Sequence, residues 1–312
     1  MKQVILVDFS NLIYSVHFTH QNLATLNGRP TGVIFGTLNS ILSINKKYQN
    51  IPIVFCLDGK GKTWRHTLYP KYKSGRVQNS DVRRAVRQQV PPLLGILDMF
   101  GFKKISVEGV EADDVIGIAA TSFQEEGYDV YVYSNDKDFY QLIGDGIKVI
   151  RKVNSKTIEV KPSLIKEEYG VDPEMWTQFR ALMGDPSDNI KPLAGVGPKT
   201  AVKMLEAGID PALKNFSSLP KKTRIKYKQL RASWYKVHVA YQLSEISRRA
   251  DFKLFSNIQK ELLQAKIGRI KEAPRRARVS YGDELLTNFI EVCQEYEFES
   301  LIGRRHELLA IP

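Results

Sequence analysis

Apolar runs alternate with amphipathic stretches between residues 3 and 143, and this alternation restricts the fold more than any other feature of the sequence. Short apolar runs indicate buried strands, and the longer stretches have the spacing of helices. Their alternation favours an α/β fold with a mostly parallel sheet flanked by helices. A short strand pair near 147–153 and 157–161 would close this unit. The predicted strands lie near 3–8, 51–57, 103–107 and 129–134, and the predicted helices near 31–47, 81–99, 113–126 and 137–143.

The remainder of the chain has helical character. Pro162, Pro173 and Pro198 mark successive helix starts, because proline suits the first turn of a helix. A chain of 312 residues is long enough for two domains, each with an apolar core. We therefore expect an α/β domain over residues 1–170, with a basic insertion near 60–90, and a helical region over residues 171–312.

Acidic residues follow the apolar runs at four places along the first unit. Carboxyl ends of parallel strands share one edge of the sheet, so these acids should meet in one crevice. Hard oxygen ligands favour Mg²⁺ or Mn²⁺, and two such ions form a clamp for phosphodiester displacement. The strand-end acids are Asp8, Asp58, Glu111, Asp113, Asp114, Asp136 and Asp138, and Asp185 and Asp188 form a further pair downstream.

Each acid also has a simpler interpretation. Asp8 and Asp113 could cap the helices that follow them, and Asp58 with Gly59 is a common turn. Repetition at successive strand ends nevertheless favours a shared site, because unneeded clustered carboxylates only add repulsion.

The charge balance indicates a polyanionic partner. Lys and Arg number 46 against 34 Asp and Glu, which gives a net charge of +12. Only two cysteines occur, so no disulfide framework is implied, and no stretch is long and apolar enough to cross a bilayer. We expect a cytoplasmic protein that does not bind membranes.

Two segments have features of nucleic-acid contacts. Residues 60–76 interleave cations with aromatic side chains, and Lys73 and Arg76 follow a strand-end acid closely enough to stabilise charge on a phosphate. Residues 193–200 form a glycine turn that leads into a helix, an arrangement that grips phosphates but that also serves as a plain helix connection. For the basic stretch 221–228 a solvated helix face is the default interpretation, and a second basic run covers residues 266–278.

Together these motifs resemble the 5′-nuclease family, which includes flap endonucleases, the 5′-nuclease domain of bacterial DNA polymerase I and phage 5′–3′ exonucleases. The likeness covers roughly residues 3–205. It is carried by the segments 64–76, 111–114, 134–142, 184–190 and 195–201, which occur in the family's order and spacing.

The resemblance implies a PIN-like nuclease domain, a helical arch over the active site and a helix–three-turn–helix element near 173–206 that holds duplex DNA. It assigns Asp8, Asp58, Glu111 and Asp113, with Asp114 alongside, to a first metal ion, and Asp136, Asp138, Asp185 and Asp188 to a second. Lys73 and Arg76 would contact the reacting phosphate. The implied DNA contacts are Arg65, Lys71, Gly195, Gly197, Lys199 and Thr200, with K⁺ at the glycine hairpin.

The implied function is that of a stand-alone, structure-selective 5′ nuclease with two Mg²⁺ or Mn²⁺ ions. It would remove RNA primers or 5′ flaps during replication, in a bacterial or phage-infected cell. Its partners would be branched or nicked duplex DNA, 5′ flaps, RNA–DNA hybrids and replication proteins such as a single-strand-binding protein. Two alternatives stay open, which are a catalytically silent junction-binding DNA module and a PIN-type ribonuclease for single-stranded RNA.

Overall fold

A six-stranded sheet forms the centre of the first unit, with the strand order β3-β2-β1-β4-β5-β6. Strands β1 to β5 run parallel to one another, and β6 pairs with β5 in the antiparallel direction. The mostly parallel α/β sheet predicted from the alternation is therefore confirmed. The strands are β1 Lys2–Asp8, β2 Ile53–Leu57, β3 Lys103–Ser106, β4 Tyr128–Tyr133, β5 Ile147–Val153 and β6 Lys156–Val160.

The structure is a computed structural model that describes residues 2–49, 51–75, 80–153, 156–191, 193–248 and 275–307, without the side chains of residues 80 and 275–283. Among these residues no helix is both long and apolar enough to cross a membrane. The helices are α1 Phe9–His20, α2 Gly32–Lys47, α3 Trp64–Leu68, α4 Ser80–Met99, α5 Ala112–Glu125, α6 Pro162–Tyr169, α7 Trp176–Met183, α8 Pro198–Glu206, α9 Lys221–Lys226, α10 Trp234–Ser244, α11 Arg275–Glu295 and α12 Glu299–Ile302.

Two helices differ from the sequence expectation. Residues 137–142 form a 3₁₀ helix in place of an α-helix, and α1 is absent from the predicted set. The buried apolar residues of α1 are Phe9, Leu12, Ile13 and Val16, which have the spacing of one helix face. This spacing could have identified α1 from the sequence.

Both faces of the sheet are buried, because side chains along each strand point alternately to opposite sides. In β1, Val4 and Leu6 join a core with α5 and the helical region, whereas Ile5 and Val7 join a core with α1, α2 and α4. A strand covered on both faces needs a continuous apolar run, which explains the uninterrupted sequence of β1.

The C-terminal residues pack against the α/β unit. Phe289 and Leu285 of α11 are buried in the same core as α2 and α4, and the Phe289 ring lies 6.0 Å from the Phe100 ring between centroids. Leu301 of α12 is buried there as well. The predicted boundary at residue 170 separates two regions along the chain. In space, however, α11 and α12 pack with the first unit.

Helices α6 to α10 form the helical region and pack on α5 and on the 3₁₀ helix at 137–142. Within it, the segment 184–197 joins α7 to α8, and these two helices with their connection occupy the range 173–206 in which the helix–three-turn–helix element is predicted. The connecting segment brings Asp185 and Asp188 towards the edge of the sheet where β1 and β4 end.

Candidate active site

Parallel pairing brings the strand-end acids to one edge of the sheet. Asp8 ends β1 and is paired across the sheet with Cys56 of β2, while β4 on the other side leads into Asp136. The chain runs from β1 through β2 to β3 on one side of β1 and then crosses to β4 on the other side, and open α/β sheets bind ligands where the strand order reverses in this way.

Asp8 is held by both of its carboxylate oxygens. Oδ1 accepts a hydrogen bond from the Asn11 backbone N–H at 3.0 Å, so Asp8 caps α1, and Oδ2 accepts from the Ser134 hydroxyl at 2.9 Å. Ser134 Oγ also accepts from the Asp136 N–H at 3.0 Å. One serine therefore fixes the distance between the ends of β1 and β4.

Asp58 lies beside the start of α5. Its Oδ1 accepts from the Ala112 backbone N–H at 2.9 Å, and its Oδ2 accepts from the Ser10 hydroxyl at 2.6 Å. The carboxylate therefore satisfies one of the N–H groups that a helix start leaves unpaired. This contact fixes the position of the α5 N-terminus against β2.

Glu111 and Asp113 enter the site from the start of α5. Glu111 accepts from Tyr72 at 3.2 Å and from the Lys73 ammonium at 2.6 Å. Burial raises the pKa of Asp113 well above its ordinary value, and the charges of Asp8 and Asp136 raise it further. Asp113 therefore lies where negative charges already crowd.

A second group of acids lines an adjoining cavity of about 350 Å³. Arg180 of α7 donates from Nε to Asp138 Oδ1 at 2.8 Å and from Nη2 to Asp185 Oδ2. Tyr72 donates to Asp188 Oδ2 at 3.0 Å. The cavity is lined by Asp113, Asn135, Asp136, Lys137, Asp138, Arg180, Asp185, Ser187 and Asp188.

The electrostatic consequence is that several carboxyl groups resist ionisation. Burial raises the pKa of Asp8 to about 7, with added repulsion from Asp136 and Asp58. Burial likewise raises the pKa of Asp138 to about 7, although Arg180 opposes this shift. Clustered buried carboxylates favour a bound cation, because a cation offsets both desolvation and repulsion.

The spacing of the described acids determines how they could hold a metal ion. Within the described part of the chain, no three His, Cys, Asp or Glu side chains stand close enough together to hold one ion. Instead the cations of Lys73 and Arg180 lie between the acids. The donor set itself fits a hard divalent ion, because every acid named above offers carboxylate oxygen.

Two predicted roles are at odds with the contacts. Arg65 is only 2% exposed, so its guanidinium cannot reach DNA. Asp114 is fully buried and points at Arg65, to which both of its oxygens are hydrogen-bonded at 2.7 and 2.9 Å. Both residues therefore serve the packing beneath the site, and neither faces a metal ion or a phosphate.

The basic insertion is described as far as residue 75. Lys73 adopts a positive φ of 57°, and its backbone N–H donates to the Asp188 carbonyl at 2.9 Å. This conformation directs its ammonium to Glu111 among the acids described above, which we together call the acid pocket, whereas Lys71 is exposed outside it. Arg76 lies outside the described residues, as does most of the basic run 266–278.

The glycine hairpin lies at the surface before α8. Gly195 has φ +74°, a conformation that side chains rarely adopt, and Gly197 precedes the first turn of α8. Lys199 and Thr200 are exposed in that turn. Backbone N–H groups at a helix start attract anions, so this surface is suited to a phosphate.

Three contributors to the site escaped the sequence analysis. Arg180 bridges Asp138 and Asp185, Tyr72 bridges Glu111 and Asp188, and Ser134 bridges Asp8 and Asp136. Tyr72 and Ser134 lie inside the segments 64–76 and 134–142 that carry the family resemblance, so the sequence could have identified them. Arg180 lies in an ordinary amphipathic helix, and no local pattern distinguishes it from a surface arginine.

Comparison with known families decides the relationship. A model of the resolvase-like N-terminal domain of 5′-3′ exonucleases matches residues 3–170, and one of their C-terminal SAM fold matches residues 171–266. The chain belongs to the 5′-3′ exonuclease family. Individual relatives agree with this assignment.

A 5′-3′ exonuclease of Aquifex aeolicus is 33% identical over 257 residues, covering 81% of this chain and 87% of that protein. A thermostable DNA polymerase I of Thermus thermophilus is 35% identical over 231 residues, which are 72% of this chain. The match spans only 27% of the polymerase. In fold, the chain is similar to the T5 5′-exonuclease at 20% identity, with a TM-score of 0.69 over 85% of this chain and 99% of that one.

Proposed function

We propose that this member of the 5′-3′ exonuclease family is a divalent-metal-dependent nuclease that hydrolyses phosphodiester bonds at 5′ ends and 5′ flaps of duplex DNA. The observation that carries the proposal is that acids from three strand ends, from α5 and from the 184–190 segment form two adjoining groups at one edge of the sheet. No binding of neutral ligands would require such a concentration of buried negative charge.

The acids divide into two groups that would hold two ions. Mg²⁺ or Mn²⁺ bound there would activate a water and offset charge on the phosphate. In support, the similar T5 5′-exonuclease was solved with zinc, and a T5 flap endonuclease with DNA and metal ions. The side chains would have to close around each ion, with Lys73 and Arg180 giving up part of their present contacts. We assign Asp8, Asp58, Glu111 and Asp113 to one ion, and Asp136, Asp138, Asp185 and Asp188 to the other.

Lys73 would act on the substrate directly. Its ammonium lies 2.6 Å from Glu111 Oε1, and its side chain is four-fifths buried, so Lys73 is held at the pocket and is partly shielded from water. A cation held there can donate to a phosphate oxygen as negative charge develops. This is the role that the sequence predicts for it, and we propose the same for Arg76.

Duplex DNA would be held by the hairpin at 193–197 and the start of α8. The exposed Lys199 and the backbone there can contact phosphates without reading bases, so selectivity would come from the shape of the junction. RNA–DNA hybrids as substrates, K⁺ at the hairpin and a single-strand-binding protein as partner are further parts of this proposal.

The test is a Mg²⁺ titration of cleavage on a 5′-labelled flap, a nicked duplex and an RNA–DNA hybrid. We expect Asp113→Asn to lose cleavage by at least about a hundredfold while flap binding survives, because binding does not depend on the acids. Asp145→Asn is the matched control, since Asp145 is exposed in the turn before β5, at the opposite edge of the sheet.

The wild-type chain should cleave only with divalent ions, and D145N should match it. Full activity of D113N, or absence of metal-dependent cleavage by the wild-type chain on all three substrates, would refute the proposal. The second result is the one that a catalytically silent DNA-binding module predicts.

A further inference from the structure

Arg65 uses every hydrogen-bond donor of its guanidinium inside the protein. Nε donates to the Leu243 carbonyl at 3.0 Å, and Nη2 donates to the Glu245 carbonyl at 2.7 Å and to Asp114 Oδ1 at 2.9 Å. Nη1 donates to Glu111 Oε2 at 2.9 Å and to Asp114 Oδ2 at 2.7 Å. A guanidinium has five N–H groups, so none is left for a ligand.

Asp114 completes this buried pair. Its Oδ2 also accepts from the Trp64 indole at 2.9 Å, and its Oδ1 accepts from the Ser247 backbone N–H at 3.0 Å. Both Asp114 oxygens accept from the Arg65 guanidinium in this buried site, so Asp114 and Arg65 form an ion pair. Removing one partner would leave a buried charge uncompensated.

The segment that supplies these backbone partners is residues 243–248, which end α10 and continue beyond it; we call it the strap. Gln141 donates to the Ser244 carbonyl at 3.0 Å and accepts from the Ile246 N–H at 2.9 Å. Gln141 belongs to the 3₁₀ helix that begins at the Asp136 cap. The strap is thus bonded to two of the segments that carry site acids, to α5 through Asp114 and to the 3₁₀ helix through Gln141.

The strap also lies directly against α5. A Cβ on Gly117 would be 2.4 Å from the Ser247 carbonyl oxygen and 2.5 Å from Ile246 Cγ2. Such distances are too short for any side chain, so glycine at position 117 permits the close approach.

The other end of the strap belongs to the helical region, which carries the hairpin that we propose holds duplex DNA. Leu243 and Ala240 of α10 pack with Ala181 of α7, which is the first helix of the helix–three-turn–helix element. The strap therefore connects the helices that carry the hairpin to the base of the acid pocket through a short run of backbone.

We propose that the strap, acting through Arg65 and Asp114, positions Glu111 and Lys73 for phosphodiester cleavage. Arg65 and Lys73 bind the two oxygens of the same Glu111 carboxylate, so a shift of Arg65 changes where Lys73 lies. Arg65 is a positioning residue, because it touches no substrate. The inference rests on the proposed nuclease function.

Gly117→Ala tests this directly, because it adds one methyl group beneath the strap. Gly95→Ala is the matched control, since Gly95 also lies inside a helix but a Cβ there meets nothing within 4 Å. We expect G117A to lower kcat on a flap about tenfold or more, since small misplacements of reacting groups are costly. KM and the Kd for the flap should change less than about twofold.

Amide hydrogen exchange at Ile246 and Ser247 reports whether the strap has moved. It should become faster in G117A and in Arg65→Lys, and kcat should fall in both, because lysine retains the charge without the five fixed donors. G95A should match the wild type in both measurements. Faster exchange with an unchanged kcat would reduce the strap to a purely structural element, and a lower kcat with unchanged exchange would show that the loss arises elsewhere.

Unchanged kcat and unchanged exchange in G117A would reject the inference as well. These failures differ from failure of the proposed function, in which the wild-type chain itself does not cleave.

Discussion

At the scale of single residues, the acids of the site have two roles at once. Asp8 caps α1, as its simpler interpretation suggested, and Asp58 binds the first N–H of α5, yet Asp8 is close enough to Asp58 and Asp136 for both charges to raise its pKa. Asp113 is not a cap, because Glu111 holds the N-cap position of α5. Capping fixes the carboxylates in place, so the local role and the site role support each other.

The raised pKa of Asp8 predicts how the metal-free protein responds to pH. The pKa is about 7 in the folded state against an ordinary value of 3.8, so the folded state binds the extra proton between these pH values. The stabilisation that this proton on Asp8 gives the folded state is fully present below pH 3.8 and is lost as pH rises through 7. In EDTA, urea unfolding should show stability falling from pH 5 to pH 7.5, and Asp8→Asn should reduce that fall.

Asp138 has the same sign of shift and keeps part of the pH dependence in D8N. Equal pH dependence in D8N and the wild type would mean that the Asp8 proton does not contribute.

At the scale of elements, the hairpin and α8 form a surface on which two lysines differ in their position relative to the start of the helix. Lys199 lies in the first turn of α8, next to Gly197, whereas Lys203 lies in the last turn; both are exposed. Only the first turn offers unpaired backbone N–H groups to a phosphate.

Lys199→Ala should therefore weaken duplex binding and leave kcat near the wild-type value. Loss of one phosphate contact reduces the slope of log K against log salt by about 0.9. Fluorescence anisotropy with a labelled nicked duplex at several salt concentrations measures this slope. Lys203→Ala is the control, and an equal effect of both variants would indicate only a general loss of positive charge.

The elements that the sequence predicted are those with a local signal. Apolar runs located the strands of the sheet, and the acids at their ends identified the pocket, because strand direction alone places such residues together. Arg65 shows the limit of this reasoning. Its neighbours in sequence are cationic and aromatic, which suggests a DNA contact, but its partners at 243–245 lie far along the chain. Burial created by distant segments leaves no periodic mark in the sequence.

At the scale of the whole molecule, the chain's two ends share one core. Phe289 of α11 is fully buried against the helices of the first unit, and its ring lies beside that of Phe100 after α4. The helical region at 171–248 thus lies, in the sequence, between two parts of a single packed unit.

Phe289→Ala should destabilise the α/β unit by about 3–5 kcal/mol, the range for removing a large buried aromatic side chain. Urea unfolding monitored by circular dichroism measures the loss. The control is Phe18→Ala on α1, where the side chain is 63% exposed and the expected change is within about 0.5 kcal/mol. Similar values for the two variants would show that α11 adds nothing to the stability of the unit.

The position of α11 also has a consequence for synthesis on the ribosome. Until residues 285–301 have emerged, the apolar surface formed by α2 and α4 has nothing to cover it, although the sheet beneath is already complete in sequence. Nascent chains of this protein should therefore expose an apolar surface through most of translation, when aggregation and chaperone binding compete with folding.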